Sequence, residues 1–110
     1  MFQQTIDKIE ERLRQTESLK EENKAELLDL VSTLKEEIAG ISQSHNEEAQ
    51  SITGFADVST REATRKEKNP ELIRLSIQGL EASVQGFEST HPRLVNVVNS
   101  ICSMLSNLGI

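Results

Sequence analysis

Aromatic residues are almost missing from this chain. It has no Trp and no Tyr, and Phe2, Phe55 and Phe87 supply all of its aromatic bulk. That argues against a β-sandwich, whose strands alternate β-branched and aromatic side chains, and leaves a core of Leu, Ile and Val suited to helices. Cysteine is reduced to Cys102 alone, so no intramolecular disulfide framework exists. Lying beside an apolar stripe, Cys102 reads as a small buried hydrophobe rather than a nucleophile. No apolar run approaches the roughly 20 residues that a membrane helix needs, and polar residues follow Phe2 at once where a leader would carry an apolar segment. A cytoplasmic location with no membrane partner is the expectation. Positive charge is also scarce: 12 Lys and Arg stand against 18 Asp and Glu, for a formal net charge of −6. A nucleic-acid partner needs a basic surface to displace phosphate counterions, and an anionic lipid surface needs one to attract it; neither is expected. The one locally basic stretch, Arg61 to Arg74, holds five basic and three acidic side chains and fits a solvated helix end.

What the chain does have is apolar residues at helical spacing. The last 25 residues, from Gly86, carry only two formal charges, Glu88 and Arg93. Within them Leu94, Val98, Ile101, Leu105 and Leu108 recur in steps of four and three, which places them on one helix face. Thr90 or His91 can cap this helix, with Pro92 in a first turn where its missing N–H costs nothing. Gly109 stands where a left-handed glycine stops a helix, and Ile110 where an apolar residue folds back on the last turn. Fully burying the five stripe residues is worth roughly 8–15 kcal/mol gross. Ordering the backbone opposes this by a comparable amount, so the helix needs a partner surface.

The same steps recur upstream. Phe2, Ile6, Ile9 and Leu13 mark a helix over residues 2–15. Ser18 followed by Glu21 fits a capping box, starting a helix over 19–43 with Leu27, Val31, Leu34, Ile38 and Ile41 on one face. Residues 46–67 form another helix, or continue the previous one. The stripe running on through His45, Ala49, Ile52, Phe55 or Ala56, and Ala63 favours continuity, while Ser44 and Glu47 offer a second capping box. Asn69-Pro70-Glu71 is a strong restart: Asn caps, Pro takes the first helical position, and an acid sits in the positive first turn. The helix it opens runs over 70–88 with Ile73, Ile77, Leu80, Val84 and Phe87 on one face. Gly79 and Gly86 inside it either admit a close neighbour or sit on a solvent face. The last helix covers 92–108. The expected fold is therefore all-α, a single domain over 1–110. It is an antiparallel bundle of four to five amphipathic helices with coiled-coil-like packing and crossing angles of about 20°. The two low-charge C-terminal helices form its centre and the acidic N-terminal ones its flanks.

Catalytic and metal chemistry finds little support. Glu88-x-x-His91 has the spacing of di-metal carboxylate bundles, but those need two such pairs, and Pro92 breaks the helix beside it. A turn-stabilising or capping His91 is the plainer reading. His45 with Glu48 reads as a solvated or interface position. Ser59, Thr60 and Glu62 read as ordinary helix-surface residues. No G-x-S-x-G and no Gly-rich phosphate loop occurs. No catalytic residue, metal ligand or cofactor is assigned, and no enzyme is expected.

The run Phe87-Glu88-Ser89-Thr90-His91-Pro92-x-Leu94, with the ending Leu105-Ser106-Asn107-Leu108-Gly109-Ile110, resembles the C-terminal signature of an uncharacterised bacterial family, domain of unknown function 4404. The resemblance takes in the N-terminal half as well, about two thirds of the chain, with residues 44–69 as an added segment. It implies a small helical protein and no established activity. The expected function is a non-enzymatic oligomerisation or protein-interaction module. A homodimer or higher homo-oligomer would form through core and interface positions Leu80, Val84, Phe87, Leu94, Val98, Ile101, Leu105 and Leu108. The alternatives are a small acidic chaperone or regulator holding a partner helix, and a ligand- or metal-binding bundle.

Overall fold

The computed structural model describes residues 2–109, and every described element is helical. The helices are α1 (Phe2–Gln15), α2 (Glu21–Ile41), α3 (Asn46–Ala63), α4 (Pro70–Ser83) and α5 (Pro92–Gly109). They alternate in direction. Asp7 of α1 meets Lys35 of α2 at 2.6 Å, and Glu37 of α2 meets Arg93 of α5 at 3.7 Å, so both pairs of helices run antiparallel. α1 and α3 instead lie side by side in the same direction. Phe2 and Thr5 line a crevice with Gln50 and Gly54, while Gln15 and Thr16 line one with Thr64 and Arg65. The all-α antiparallel bundle expected from periodicity is therefore the fold.

Helix two and helix three are separate. One unbroken helix over 19–67 would be roughly 70 Å long, against a longest dimension of 37 Å. Folding back at residues 42–45 lets Ile38 and Ile41 share one core with Ala49 and Ile52, all buried. The turn residues satisfy the carbonyls that the helix end leaves open. The His45 amide donates to the Ile41 carbonyl at 2.7 Å, and the Ser42 hydroxyl donates to that of Ala39 at 3.3 Å. The Ser44–Glu47 box does not form; His45 holds the N-cap position without a side-chain bond.

The centre is not where the charge pattern places it. α3 packs against all four other helices, whereas α1 touches only α2 and α3. Size explains this. The buried face of α3 is Ala49, Ile52, Thr53, Ala56, Ser59, Thr60 and Ala63, with one large side chain among small ones. Helix axes approach closely over small residues, so this helix can serve as the shared wall. Ser59 and Thr60 are thus core residues, not surface ones, with 0% and 2% exposure. The Ser59 hydroxyl donates to the Ala56 carbonyl and Thr53 to that of Ala49, at 3.2 and 2.7 Å. Back-bonding of this kind removes the cost of burying a hydroxyl. The remaining choice along the stripe falls to Ala56, buried, over Phe55, which faces out.

Other boundaries and caps move for physical reasons. Leu19 turns into the core ahead of its helix, so α2 begins at Glu21 and its N-cap is Lys20, with no side-chain bond. Ser18 is left pairing with the Thr16 hydroxyl at 3.1 Å. Asn69 caps α4 as expected, accepting from the Glu71 and Leu72 amides at 3.1 and 3.3 Å, with Pro70 next. That helix stops at Ser83, not 88. Gly86 takes φ +98°, a left-handed conformation that a side chain would strain, and its amide donates to the Glu88 carboxylate at 2.8 Å. Val84 and Phe87 remain buried as loop anchors. α5 runs through Gly109, so this glycine closes the helix instead of following it, and the fold-back expected of Ile110 lies outside the described residues.

Ion pairs tie the outside together weakly. The hydrogen bond from Lys35 to Asp7 holds the lysine ammonium above its usual range, but exposed pairs of this kind are worth about 0–1 kcal/mol. Packing dominates. Ile52→Ala, which empties the largest side chain of the shared wall, should lower stability by about 2–4 kcal/mol in urea titrations. Asp7→Asn, by contrast, should cost less than about 1 kcal/mol.

Candidate functional site

The C-terminal stripe is spent inside the chain. Leu94, Val98, Ile101 and Leu105 are all buried, as are Leu80, Val84 and Phe87, and Leu108 is partly buried against the same core. None of these positions is left over as a free surface. Cys102 sits at 5% exposure with its Sγ 4.0 Å from the Ile77 carbonyl. Burial, helped by the Glu81 carboxylate, pushes its thiol from 9.0 up to about 12. It is held neutral and unreactive, a packed thiol.

The two histidines that sequence treats separately come together. The α2–α3 turn and the α4–α5 loop meet at one end of the bundle, where His45, Phe87 and His91 form a triangle of rings. The ring centroids are 5.2 and 5.3 Å from Phe87 and 5.9 Å from each other, all edge to face. His45 Nδ1 pairs with the Ser44 hydroxyl at 2.8 Å and His91 Nδ1 with that of Thr90 at 3.0 Å. Thr90 thus serves the imidazole. His91 stands at the α5 N-cap position through its backbone, its carbonyl accepting from the Val95 amide at 3.3 Å. The triad is a clasp between two loops. Among the described residues no three His, Cys, Asp or Glu side chains gather where they could hold a metal ion.

A groove of about 440 Å³ between α1 and α3 is lined by Lys8, Arg12, Arg61 and Arg65, with Glu11 as its one acid. This is the basic stretch of the sequence joined by two cations from α1. The parallel arrangement explains it. Both helices end here, and each C-terminus carries about half a negative charge, which Arg12 and Arg61 in the two last turns offset. Arg61 and Arg65 are also engaged by Asp57 and Glu62 at 3.5 and 3.0 Å.

The outer seam between α3 and α4 has no such internal explanation. Phe55, Val58, Leu72 and Leu75 lie there at 40, 37, 43 and 50% exposure. The residues at i and i+3 on each helix share a face, and Gly79, one turn beyond Leu75, lies directly under the Phe55 ring. A Cβ at Gly79 would overlap that ring. The close approach expected of a glycine in this helix is therefore real at Gly79, while Gly86 serves the turn. Periodicity misses this face because Phe55 reads as a member of the buried stripe. The available signal is that Phe55 and Val58 fall off the Ala49–Ile52–Ala56 line.

A family model described as a domain of unknown function, DUF4404, matches residues 56–110. It starts within α3, so residues 56–69 belong to the matched region instead of an added segment, and it does not reach α1 or α2. No curated protein and no solved structure matches.

Two outcomes follow from these sites. Alanine at position 79 in a Phe55→Ala background should gain about 1 kcal/mol of helix propensity. The same change beside an intact Phe55 should lose most of that gain, a coupling that a double-mutant cycle in urea would measure. Native Cys102 should be alkylated at pH 8 roughly a thousandfold more slowly than in denaturant, reflecting its suppressed thiolate. Because its folded value is the raised one, the stabilisation it gives is complete below pH 9 and is lost as pH climbs from 9 towards 12.

Proposed function

From the premise that this chain belongs to the family of the domain of unknown function DUF4404, we propose that it is a non-enzymatic protein-interaction module that works through the outer seam of α3 and α4. The observation behind this reading is the exposed apolar quartet of Phe55, Val58, Leu72 and Leu75. The core is otherwise complete without it: Leu94, Val98, Ile101 and Leu105 are already covered. A contiguous apolar face on a small acidic chain is costly in water, and such faces mark sites of association.

Magnitude limits what the quartet can do alone. Each side chain is already about half covered, so covering the rest is worth roughly 3–6 kcal/mol. That lies at the low end of the cost of bringing two bodies together. The seam therefore needs help from its polar ends, and any complex formed through it exchanges readily.

The test is a photo-crosslinking residue in place of Leu75, expressed in cells that make the protein, with the same residue at Gln43 as control. Adducts of discrete mass at position 75 and none at 43 are expected. An adduct of twice the chain mass means self-association. A single foreign adduct means a regulator that holds another protein. No adduct at 75 overturns the interaction reading.

A further inference from the structure

We propose that the His45–Phe87–His91 clasp is an acid-sensitive latch, shut while at most one imidazole is protonated and opened when both are. This goes beyond the interaction reading and does not depend on it. The clasp joins the α2–α3 turn to the α4–α5 loop. Among the described residues no hydrogen bond or ion pair crosses between the two, because each closes its polar groups on itself. Besides apolar packing, the join consists of the three ring contacts at 5.2, 5.3 and 5.9 Å. Both imidazoles are half-buried and so remain open to protons from solvent.

Position sets the response to acid. His45 stands at the N-cap of α3 and His91 at that of α5, and each helix N-terminus carries about half a positive charge. α3 offsets its pole with Glu47 and Glu48, whereas α5 has no acid in its first turn. A first imidazolium can rest against the Phe87 ring, as cations do within about 6 Å of an aromatic centroid. A second meets the first at 5.9 Å. Two unit charges at that distance disfavour the doubly protonated clasp by roughly threefold in water and a hundredfold near a protein surface. The surrounding elements do little to relieve this. Glu37 of α2 is paired with Arg93 of α5, the Glu88 carboxylate is taken by the Gly86 amide, and Glu81 of α4 acts on Cys102. Glu47 and Glu48 line a groove with Gln85, and among the described residues no carboxylate forms an ion pair with either imidazole. The closed clasp therefore binds fewer protons than the open one, and acid favours opening.

The test is clean because His45 and His91 are the chain's two histidines, and histidine is the side chain whose ordinary charge change falls between about pH 5 and 8. Wild type, His45→Gln, His91→Gln and the double variant are titrated from about pH 7 to about pH 5 at low salt. Ring NMR follows the protons, and amide hydrogen exchange, corrected for its intrinsic pH dependence, follows the loops. The wild-type rings should titrate as one coupled pair, and each single variant should leave a simple one-proton curve. The His45, Phe87 and His91 amides are bonded in the closed loops, at 2.7, 3.1 and 2.8 Å. Relative to the Ile52 amide of the shared wall, their exchange should rise at least about tenfold with acid in wild type and about threefold or less in each single variant. Independent one-proton curves in wild type, or loop exchange indifferent to acid, overturn the latch. A rise at Ile52 in step with the loops also overturns it, since acid then unfolds the whole bundle. Should glutamine loosen the loops at every pH, the coupling and exchange of the wild type decide alone.

Discussion

The packing of this bundle turns on one constraint, the smallness of the buried face of α3. Four helices can reach a fifth only if its side chains leave their axes room. Ala49, Thr53, Ala56, Ser59, Thr60 and Ala63 leave that room, and Ile52 supplies the one large contact. The bulky stripes of α1, α2, α4 and α5 then close over a narrow wall. The Thr53 and Ser59 hydroxyls are tolerated in it because each returns its proton to the helix carbonyl behind it. The rest of the topology follows. A central α3 with short links forces α2 and α4 to run against it, and α1 takes the remaining groove between α2 and α3.

That arrangement has an electrostatic consequence at each end. α1 and α3 end together, and Arg12, Arg61 and Arg65 stand near their carbonyl ends. At the other end the α2–α3 turn and the α4–α5 loop must be held in register. Here the contact is a cluster of three rings, Phe87 packed against two imidazoles whose Nδ1 atoms pair with neighbouring hydroxyls. Both loops satisfy their own polar groups locally, so the end closes without a buried ion pair.

How much of this the sequence shows depends on what kind of signal each residue gives. Asn69-Pro70 announces a helix start by chemistry that acts within three residues, and Asn69 caps as it should. Leu94, Val98, Ile101 and Leu105 announce a buried face by size and spacing, and all are buried. α3 gives neither signal. Its buried residues are small or hydroxylated, and these are common on surfaces too, so Ser59 and Thr60 resemble solvent-facing positions until the neighbours are known. The break before it is equally hidden. Ile41, His45 and Ala49 keep helical step across a turn, because folding back returns the chain to the same core. Gly79 and Gly86 look alike in sequence and differ only in tertiary context: one lies under Phe55, the other bears a positive φ.

The seam between α3 and α4 is a product of the same close packing. Small residues bring the two helices close, and Gly79 removes the last side chain between them, so the Phe55 ring must lie on the outside of the contact instead of within it. An exposed Phe is therefore a geometric result of the same close packing that builds the core. Geometry does not require Val58, Leu72 and Leu75 to be apolar as well, because polar side chains would satisfy those half-exposed positions equally. Three further apolar residues beside the displaced ring exceed what the fold asks for. That excess is the part of the sequence best explained by something outside the chain.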